Sequence, residues 1–191
     1  MELVLASASP RRSLLLATAG YPHDIRAPDI DEAMIEGESP AEAVLRLSEA
    51  KADAVRRGRD EVVVAADTMV VLDGVSLGKP VDAEDAHRIL TALSARTHSV
   101  LTGWVAIGDE GAQVGVAESR VTFKELTADD ITRYVADTQP FDKAGAYALQ
   151  GDAGRLIADV SGSRANVMGL PLREIVEALT ELGIERSTPN R

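Results

Sequence analysis

Asp67 interrupts an otherwise apolar run, Val64-Ala65-Ala66-Asp67-Thr68-Met69-Val70. A lone buried carboxylate is costly to desolvate, so it needs a metal ion, a neighbouring cation or a mechanistic task. The plainer reading is a satisfied carboxylate in a strand bulge. Lys51 poses the same kind of question. It follows Val44 by seven residues and Leu47 by four, and so shares their inward helix face. Its ammonium either snorkels out to water or lines a cleft. At Ser7-Ala8-Ser9-Pro10-Arg11-Arg12 a strand end runs into a helix start, where free N–H groups and the dipole favour an anion. Two arginines in that first turn oppose the dipole, and a bound phosphate would relieve the conflict. Otherwise they are a solvated surface pair.

Asp29, Asp31 and Glu32 offer hard oxygen donors of the kind Mg²⁺ or Mn²⁺ takes, although acidic loops are usually just solvated. The stretch Asp142-Lys143-Ala144-Gly145-Ala146-Tyr147-Ala148-Leu149-Gln150-Gly151 joins a charged pair, two glycines, an aromatic ring and an amide. Its glycines permit close backbone approach to a ligand, and Gln150 can both donate to and accept from a base edge. The alternative is an ordinary loop around a buried tyrosine. His23, His87 and His98 share no metal-type spacing and receive no role. There is no G-x-x-x-x-G-K-[ST] phosphate loop and no G-x-S-x-G nucleophile motif.

With 191 residues and 45% apolar content the chain can bury a sizeable core, as one domain or as two closely packed lobes. Aromatics are only 3%, so Val, Leu, Ile and Ala must fill that core. The absence of cysteine excludes disulfides, thiolate metal sites and thiol nucleophiles, and fits a cytoplasmic location. A net charge of −11 repels a phosphate backbone, so nucleic acid is not an expected partner. A small phosphate ligand needs only a local cation cluster. The start, Met1 to Ala6, reads as a strand and not as a signal peptide, and no stretch approaches the roughly 18 apolar residues of a membrane span.

The elements that must carry these residues alternate between strand and helix. Leu3 to Ala6 reads as a buried strand, followed by a helix with Ser9 as N-cap, Pro10 at its first position and Gly20 after its end. Ser39-Pro40-Ala41-Glu42 is a capping box that opens a helix to about Arg57. A β-rich run from Glu61 to Ala66 breaks at Asp67-Thr68 and resumes from Met69 to Leu72, with Asp73-Gly74 as a hairpin turn and Gly78-Lys79-Pro80 closing it. Asp82 caps a helix with Ala86, Ile89, Leu90 and Leu93 on one face. Val100 to Ile107 and Val114 to Phe123 are long strands. Thr127 caps a short helix through Val135, a strand lies near Leu156-Ile157, and a last helix carries Ile175, Val176, Leu179 and Leu182. Ser187 to Arg191 reads as a disordered tail. The pattern is α/β, and its hairpins call for a mixed sheet.

Taken in order, these motifs resemble one family. Leu5-Ala6-Ser7-Ala8-Ser9-Pro10-Arg11-Arg12 is similar to the opening signature of the Maf proteins, nucleoside triphosphate pyrophosphatases first described as septum-formation inhibitors. Arg46-Leu47-Ser48-Glu49-Ala50-Lys51-Ala52 resembles their second motif. Ala66-Asp67-Thr68 with Val70 and Gly78-Lys79-Pro80 resembles the third, and Asp142 to Tyr147 with Gln150-Gly151 the fourth. Ser161-Gly162, Asn166-Val167 and Gly169-Leu170-Pro171 resemble the last. Two positions depart from the pattern: Ala65 stands where glycine is common, and Met168 where valine is frequent.

The resemblance implies one Maf-like domain over residues 1–191, with an elongated mixed sheet flanked by helices and two lobes around a deep cleft, a Maf/ITPase-like fold. It implies a family that is often dimeric, with dependence on Mg²⁺, Mn²⁺ or Co²⁺ and release of pyrophosphate from a nucleoside triphosphate. Carried over by position, Asp67 matches the proton acceptor, and Arg12, Lys51 and Lys79 match phosphate-contacting residues. Glu32 matches an acid near the metal, which Asp67 would share. Arg11, Thr68 and Gln150 match positions that set base preference, and Ser7 and Lys143 stand within substrate-binding motifs. Pro10-Arg11-Arg12, Asp67-Thr68 and Tyr147 with Gln150 resemble the dTTP/UTP branch more than the 7-methyl-GTP branch. A rival from another class is a regulator of septum formation that binds nucleotide and catalyses nothing. Such a binder would need neither an inward Lys51 nor a lone Asp67.

Overall fold

A computed structural model describes residues 1–151 and 155–187 of the chain. In chain order its elements are β1 (Glu2–Leu5), α1 (Pro10–Thr18), β2 (Asp24–Ile25), α2 (Pro40–Val55), β3 (Glu61–Leu72), β4 (Val75–Leu77), α3 (Ala83–Leu93), β5 (Thr97–Gly108), β6 (Gly111–Phe123), α4 (Ala128–Thr138), a 3₁₀ turn (Ala144–Ala146), β7 (Ile157–Ser161), α5 (Arg164–Val167) and α6 (Leu172–Glu181). Among the described residues seven strands form one sheet in the order β2-β1-β3-β5-β6-β7, with β4 paired to β3. The sheet is mixed. β1 runs parallel to β2 and β3, whereas β3–β4 and β6–β7 are antiparallel.

The chain divides into two compact units. The first holds Met1–Asp67, Thr102–Ala117 and Gly169–Arg191; the second holds Thr68–Leu101 and Glu118–Met168. In the first unit the strand pleat sorts apolar residues onto two faces. Leu3, Leu5, Val62, Val64 and Ala66 pack with Leu16 of α1 and with Ile175 and Leu179 of α6. Val4, Ala6, Val63 and Ala65 pack with Ala52 and Val55 of α2. Both faces are covered, which is why β1 and β3 read as continuous apolar runs and not as alternating ones.

In the second unit the inward face of α3 (Ala86, Ile89, Leu90, Leu93) and Ile131, Tyr134 and Val135 of α4 pack against Val70, Val100, Val121 and Phe123. Both helices start at side-chain caps: Asp82 accepts the Asp85 N–H at 2.8 Å, and Thr127 and Asp130 form a reciprocal capping box. The β3–β4 turn places Asp73 and Gly74 at φ of 52° and 81°, the left-handed pair a tight hairpin requires.

Several sequence expectations are corrected. β3 does not break at Asp67-Thr68 but runs unbroken through them to Leu72, because the Asp67 carboxylate has a cation partner and the strand can carry it. Ser9 stands at the N-cap of α1, yet its side chain makes no cap bond. Helix α2 ends at Val55, two residues early, and α4 continues three residues past Val135 to Thr138. Ser187 donates its N–H to Gly20 O at 2.8 Å, and the rest of the expected tail, 188–191, lies outside the described residues. Among the described residues no helix is long and apolar enough to cross a membrane.

Candidate active site

Four features bring Lys51 to Asp67 within the first unit. Helix α2 is started firmly by its capping box, in which Ser39 N donates to Glu42 Oε2 at 2.9 Å and Glu42 N to Ser39 Oγ at 3.3 Å, with Pro40 in the first turn. Its buried stripe is Ala43, Val44, Leu47, Ser48, Lys51, Ala52 and Val55, so Lys51 faces inward. The helix backbone then sits directly on β5: a Cβ at Gly103 would fall 2.1 Å from Val44 O, an approach only glycine allows. On β3 the pleat puts Asp67 on the same face as Val63 and Ala65, the face that α2 covers. As a result Lys51 Nζ lies 2.5 Å from Asp67 Oδ1 and 2.6 Å from Glu32 Oε1. Lys51 and Asp67 are buried, 5% and 8% exposed. The ammonium does not snorkel to water.

Glu32 arrives on an irregular segment that Arg46 pins to α2. The Arg46 guanidinium grips both Glu38 oxygens, at 2.6 and 2.7 Å, and donates to Ala33 O at 3.1 Å. This fork-to-carboxylate pairing holds the Glu38 carboxyl down at about 2. Asp31 is used locally, accepting the Ala33 N–H at 2.9 Å, so of the three loop acids it is Glu32 that joins Lys51. Arg46 was not among the sequence candidates. Its charge was visible in the second motif, but nothing local told that it would reach back eight residues.

Arg12 folds over the start of α1. Its Nε donates to Gly169 O at 2.7 Å and its Nη1 to Ser7 Oγ at 3.4 Å, while the buried Ser7 hydroxyl also accepts the Ser9 N–H at 3.1 Å. Burial lowers the pKa of the Arg12 guanidinium; the Asp67 and Glu32 carboxylates oppose this, and Arg11 adds to it. Ser7, Arg12, Glu32, Lys51 and Asp67 therefore form one cluster in the first unit. It holds two cations, two carboxylates, a hydroxyl and the N-terminus of a helix. This is an arrangement that can bind an anion with a carboxylate beside it.

Two carboxylates already share one cation in Lys51, and their oxygens are hard donors. Mg²⁺ commonly takes one or two carboxylates and completes its shell with water and substrate phosphate, so Glu32 and Asp67 fit such an ion. Among the described residues no three Asp, Glu, His or Cys side chains gather into an all-protein metal cage.

The other candidates belong to the second unit. Thr68 follows Asp67 along β3. Lys79 is exposed, just beyond β4, in the segment whose Gly78 O accepts the Gly145 N–H at 3.0 Å. Lys143 is ion-paired with Asp142, and Gln150 is exposed at the end of the same loop.

The family model described as Maf-like protein matches residues 2–182. The chain belongs to the Maf-like protein family. It is 45% identical over 185 residues to the dTTP/UTP pyrophosphatase of Geotalea uraniireducens, covering 95% of this chain and 95% of that one. It is 48% identical to the dTTP/UTP pyrophosphatases of Geobacter metallireducens and Anaeromyxobacter dehalogenans, covering 95% of this chain and 96% and 94% of theirs. Among solved structures a HAM1 protein from Coxiella burnetii superposes with a TM-score of 0.51 at 17% identity, over 95% of this chain and 99% of that chain. That likeness concerns the fold alone. In this Maf-like protein the buried Lys51–Asp67 pair lies within the matched residues.

Proposed function

We propose that this Maf-like protein is a nucleoside triphosphate pyrophosphatase that hydrolyses the α–β phosphoanhydride of dTTP and UTP, giving the monophosphate and pyrophosphate. The observation that carries this reading is the buried Lys51 held between Asp67 and Glu32, next to Arg12. The relatives at 45–48% identity that are named dTTP/UTP pyrophosphatases support it.

In this reading Arg12, Lys51 and Lys79 bind the triphosphate and neutralise charge that grows on the leaving pyrophosphate. Ser7 and the N–H groups at the start of α1 bind a phosphate oxygen. Asp67 orients a water and takes its proton as the water oxygen bonds to the α-phosphorus. The α-phosphorus–bridging oxygen bond breaks, and pyrophosphate carries away the bonding electrons. Glu32 and Asp67 are the residues that would hold a divalent cation, Mg²⁺, Mn²⁺ or Co²⁺, which when bound supplies charge neutralisation at the phosphates. Arg11, Thr68, Lys143 and Gln150 contact sugar and base. The whole chain works as one catalytic domain, as a homodimer in the cytoplasm; the family resemblance supports the dimer, and the absence of cysteine fits the compartment.

The test is pyrophosphate release from a panel of dTTP, UTP, CTP and 7-methyl-GTP, with and without EDTA. The expected result is pyrophosphate from dTTP and UTP that is lost in EDTA. Full activity in EDTA, or inorganic phosphate as the sole product, overturns the proposal.

A further inference from the structure

His98 received no role from the sequence, yet it sits at the base of the loop that carries Lys143 and Gln150. It is 2% exposed on β5, and its Nε2 lies 2.7 Å from the Tyr147 hydroxyl. Its Nδ1 is buried without a hydrogen-bond partner among the described residues. A leucine or phenylalanine here would remove the unmet Nδ1 but leave the buried Tyr147 hydroxyl without this partner, so the imidazole is tied to Tyr147 and not to packing alone.

The rings around it form a closed set. His98, Phe123 and Tyr147 meet pairwise edge-on, with centroids 5.1, 5.4 and 4.9 Å apart and interplanar angles of 76°, 78° and 77°. This holds the Tyr147 ring in one orientation, and the hydrogen bond fixes its tip. Burial pushes the imidazole down to about 4 and the phenol up, so both are neutral at neutral pH and one O–H or N–H is shared between them.

The backbone leading into Tyr147 needs such a hold. Gly145 and Ala146 both take left-handed conformations, with φ of 71° and 59°, and for alanine that costs energy. Gly145 is also wedged on Val70: a Cβ there would lie 2.9 Å from Val70 Cγ2. The strained turn inserts Tyr147 into the core, with Lys143 before it and the exposed Gln150 three residues after it.

We infer that His98 is the positioning residue of the base-reading loop: through the Tyr147 hydroxyl it fixes where Gln150 meets the pyrimidine edge. The inference rests on the proposed reading of the base by Gln150. His98 touches no substrate. Its effect is on the ratio of kcat/KM for UTP over CTP.

The experiment measures that ratio, with melting temperatures, for the wild type and for His98→Phe, His98→Gln, Tyr147→Phe, the His98→Phe/Tyr147→Phe double variant and Gln150→Leu. His98→Phe and Tyr147→Phe each lower the ratio by about 5-fold, the worth of one hydrogen bond, and the double variant lowers it no further. His98→Gln, whose amide nitrogen can stand near the place of Nε2, retains most of the ratio. A collapsed ratio in Gln150→Leu beside unchanged ratios in His98→Phe and Tyr147→Phe overturns this inference alone. An unchanged ratio in Gln150→Leu overturns the base-reading proposal and this inference with it. If His98→Phe does not fold, the Tyr147→Phe ratio decides: lowered supports the inference, unchanged overturns it.

Discussion

Lys51 Nζ lies 2.5 Å from Asp67 Oδ1, with side chains only 6% and 12% exposed. An ion pair this sheltered makes each partner the reason the other can be buried. It also sets the Asp67 carboxylate among cations that attract phosphate, the place where a proton acceptor is needed.

Asp67→Asn keeps the side chain's shape and an oxygen for Lys51 to donate to, but removes the charge. The expected outcome is a folded protein whose kcat falls by roughly 10²-fold or more, the range of a lost general base. Circular dichroism and steady-state kinetics check it together. An unchanged kcat removes Asp67 from the chemistry, and a variant that does not fold contradicts the expectation that the loss is catalytic and not structural.

Lys51→Met keeps the aliphatic stem and leaves two carboxylates sharing a site without their cation. A lysine that served phosphate alone would be removable at little cost to stability. The ion pair reverses that expectation, to a loss of about 3 kcal/mol in urea unfolding together with a lower kcat/KM. Wild-type kinetics in this variant would argue that Lys51 is only structural.

Gly103→Ala tests how α2 is positioned. The added Cβ would stand 2.1 Å from Val44 O, a backbone atom that cannot step aside without the helix. The expected loss is about 3 kcal/mol, at the upper end of overpacking effects, with a drop in kcat as Lys51 shifts from Asp67. Stability within 0.5 kcal/mol of wild type, on the order of an ordinary surface substitution, contradicts the close approach.

The acid limb of stability should follow Glu61 and Glu38. Arg26, at 2.8 Å, and the Arg57 N–H hold the Glu61 carboxyl at about 2, against 4.5 ordinarily. A depressed folded-state value means the stabilisation is present above about pH 4.5 and is lost as pH falls towards 2. Glu38 behaves alike through Arg46. Unfolding free energy measured against pH should therefore fall less steeply in that window for Glu61→Gln than for the wild type. Parallel curves would show that the pair contributes nothing to the acid limb.

Much of this was legible because it is local. The caps at Ser39, Asp82 and Thr127 need only residues three positions apart, and the Asp73-Gly74 turn needs only its own two residues. The inward side of Lys51 followed from its spacing to Val44 and Leu47. What failed was long-range. A charge in an apolar run reads as a break, and only a partner sixteen residues away let β3 continue through Asp67. Choosing Glu32 from among Asp29, Asp31 and Glu32 required Arg46 to fold the segment back. β2 and α5, with two and four residues, are too short to show a period. Gly103 did carry a signal, since a glycine inside a strand marks a close approach of something. His98 carried none, because its partner lies forty-nine residues away.

Specificity should rest on Gln150. Uracil and thymine present a carbonyl at O4 and a donor at N3, and cytosine reverses both. A carboxamide can donate to O4 and accept from N3–H at once, which no side chain with a single function can do. The exposed Gln150 stands at the end of a loop whose Tyr147 is locked in the core, so its reach is set by the fold and not by a flexible tail. An amide free to turn over would pair with cytosine equally well, so rejection requires that the site hold it in this one orientation, in which cytosine would face like partners. The preference for dTTP and UTP over CTP and 7-methyl-GTP should then exceed the roughly 10- to 200-fold that packing differences supply. Gln150→Leu should erode that preference while pyrophosphate release persists. The measurement is kcat/KM for all four nucleotides on both proteins. If 7-methyl-GTP is the best wild-type substrate, the pyrimidine preference falls and the pyrophosphatase chemistry stands. If the ranking survives Gln150→Leu, base reading belongs to other groups, with the backbone amides around Gly145 and Gly151 next in line.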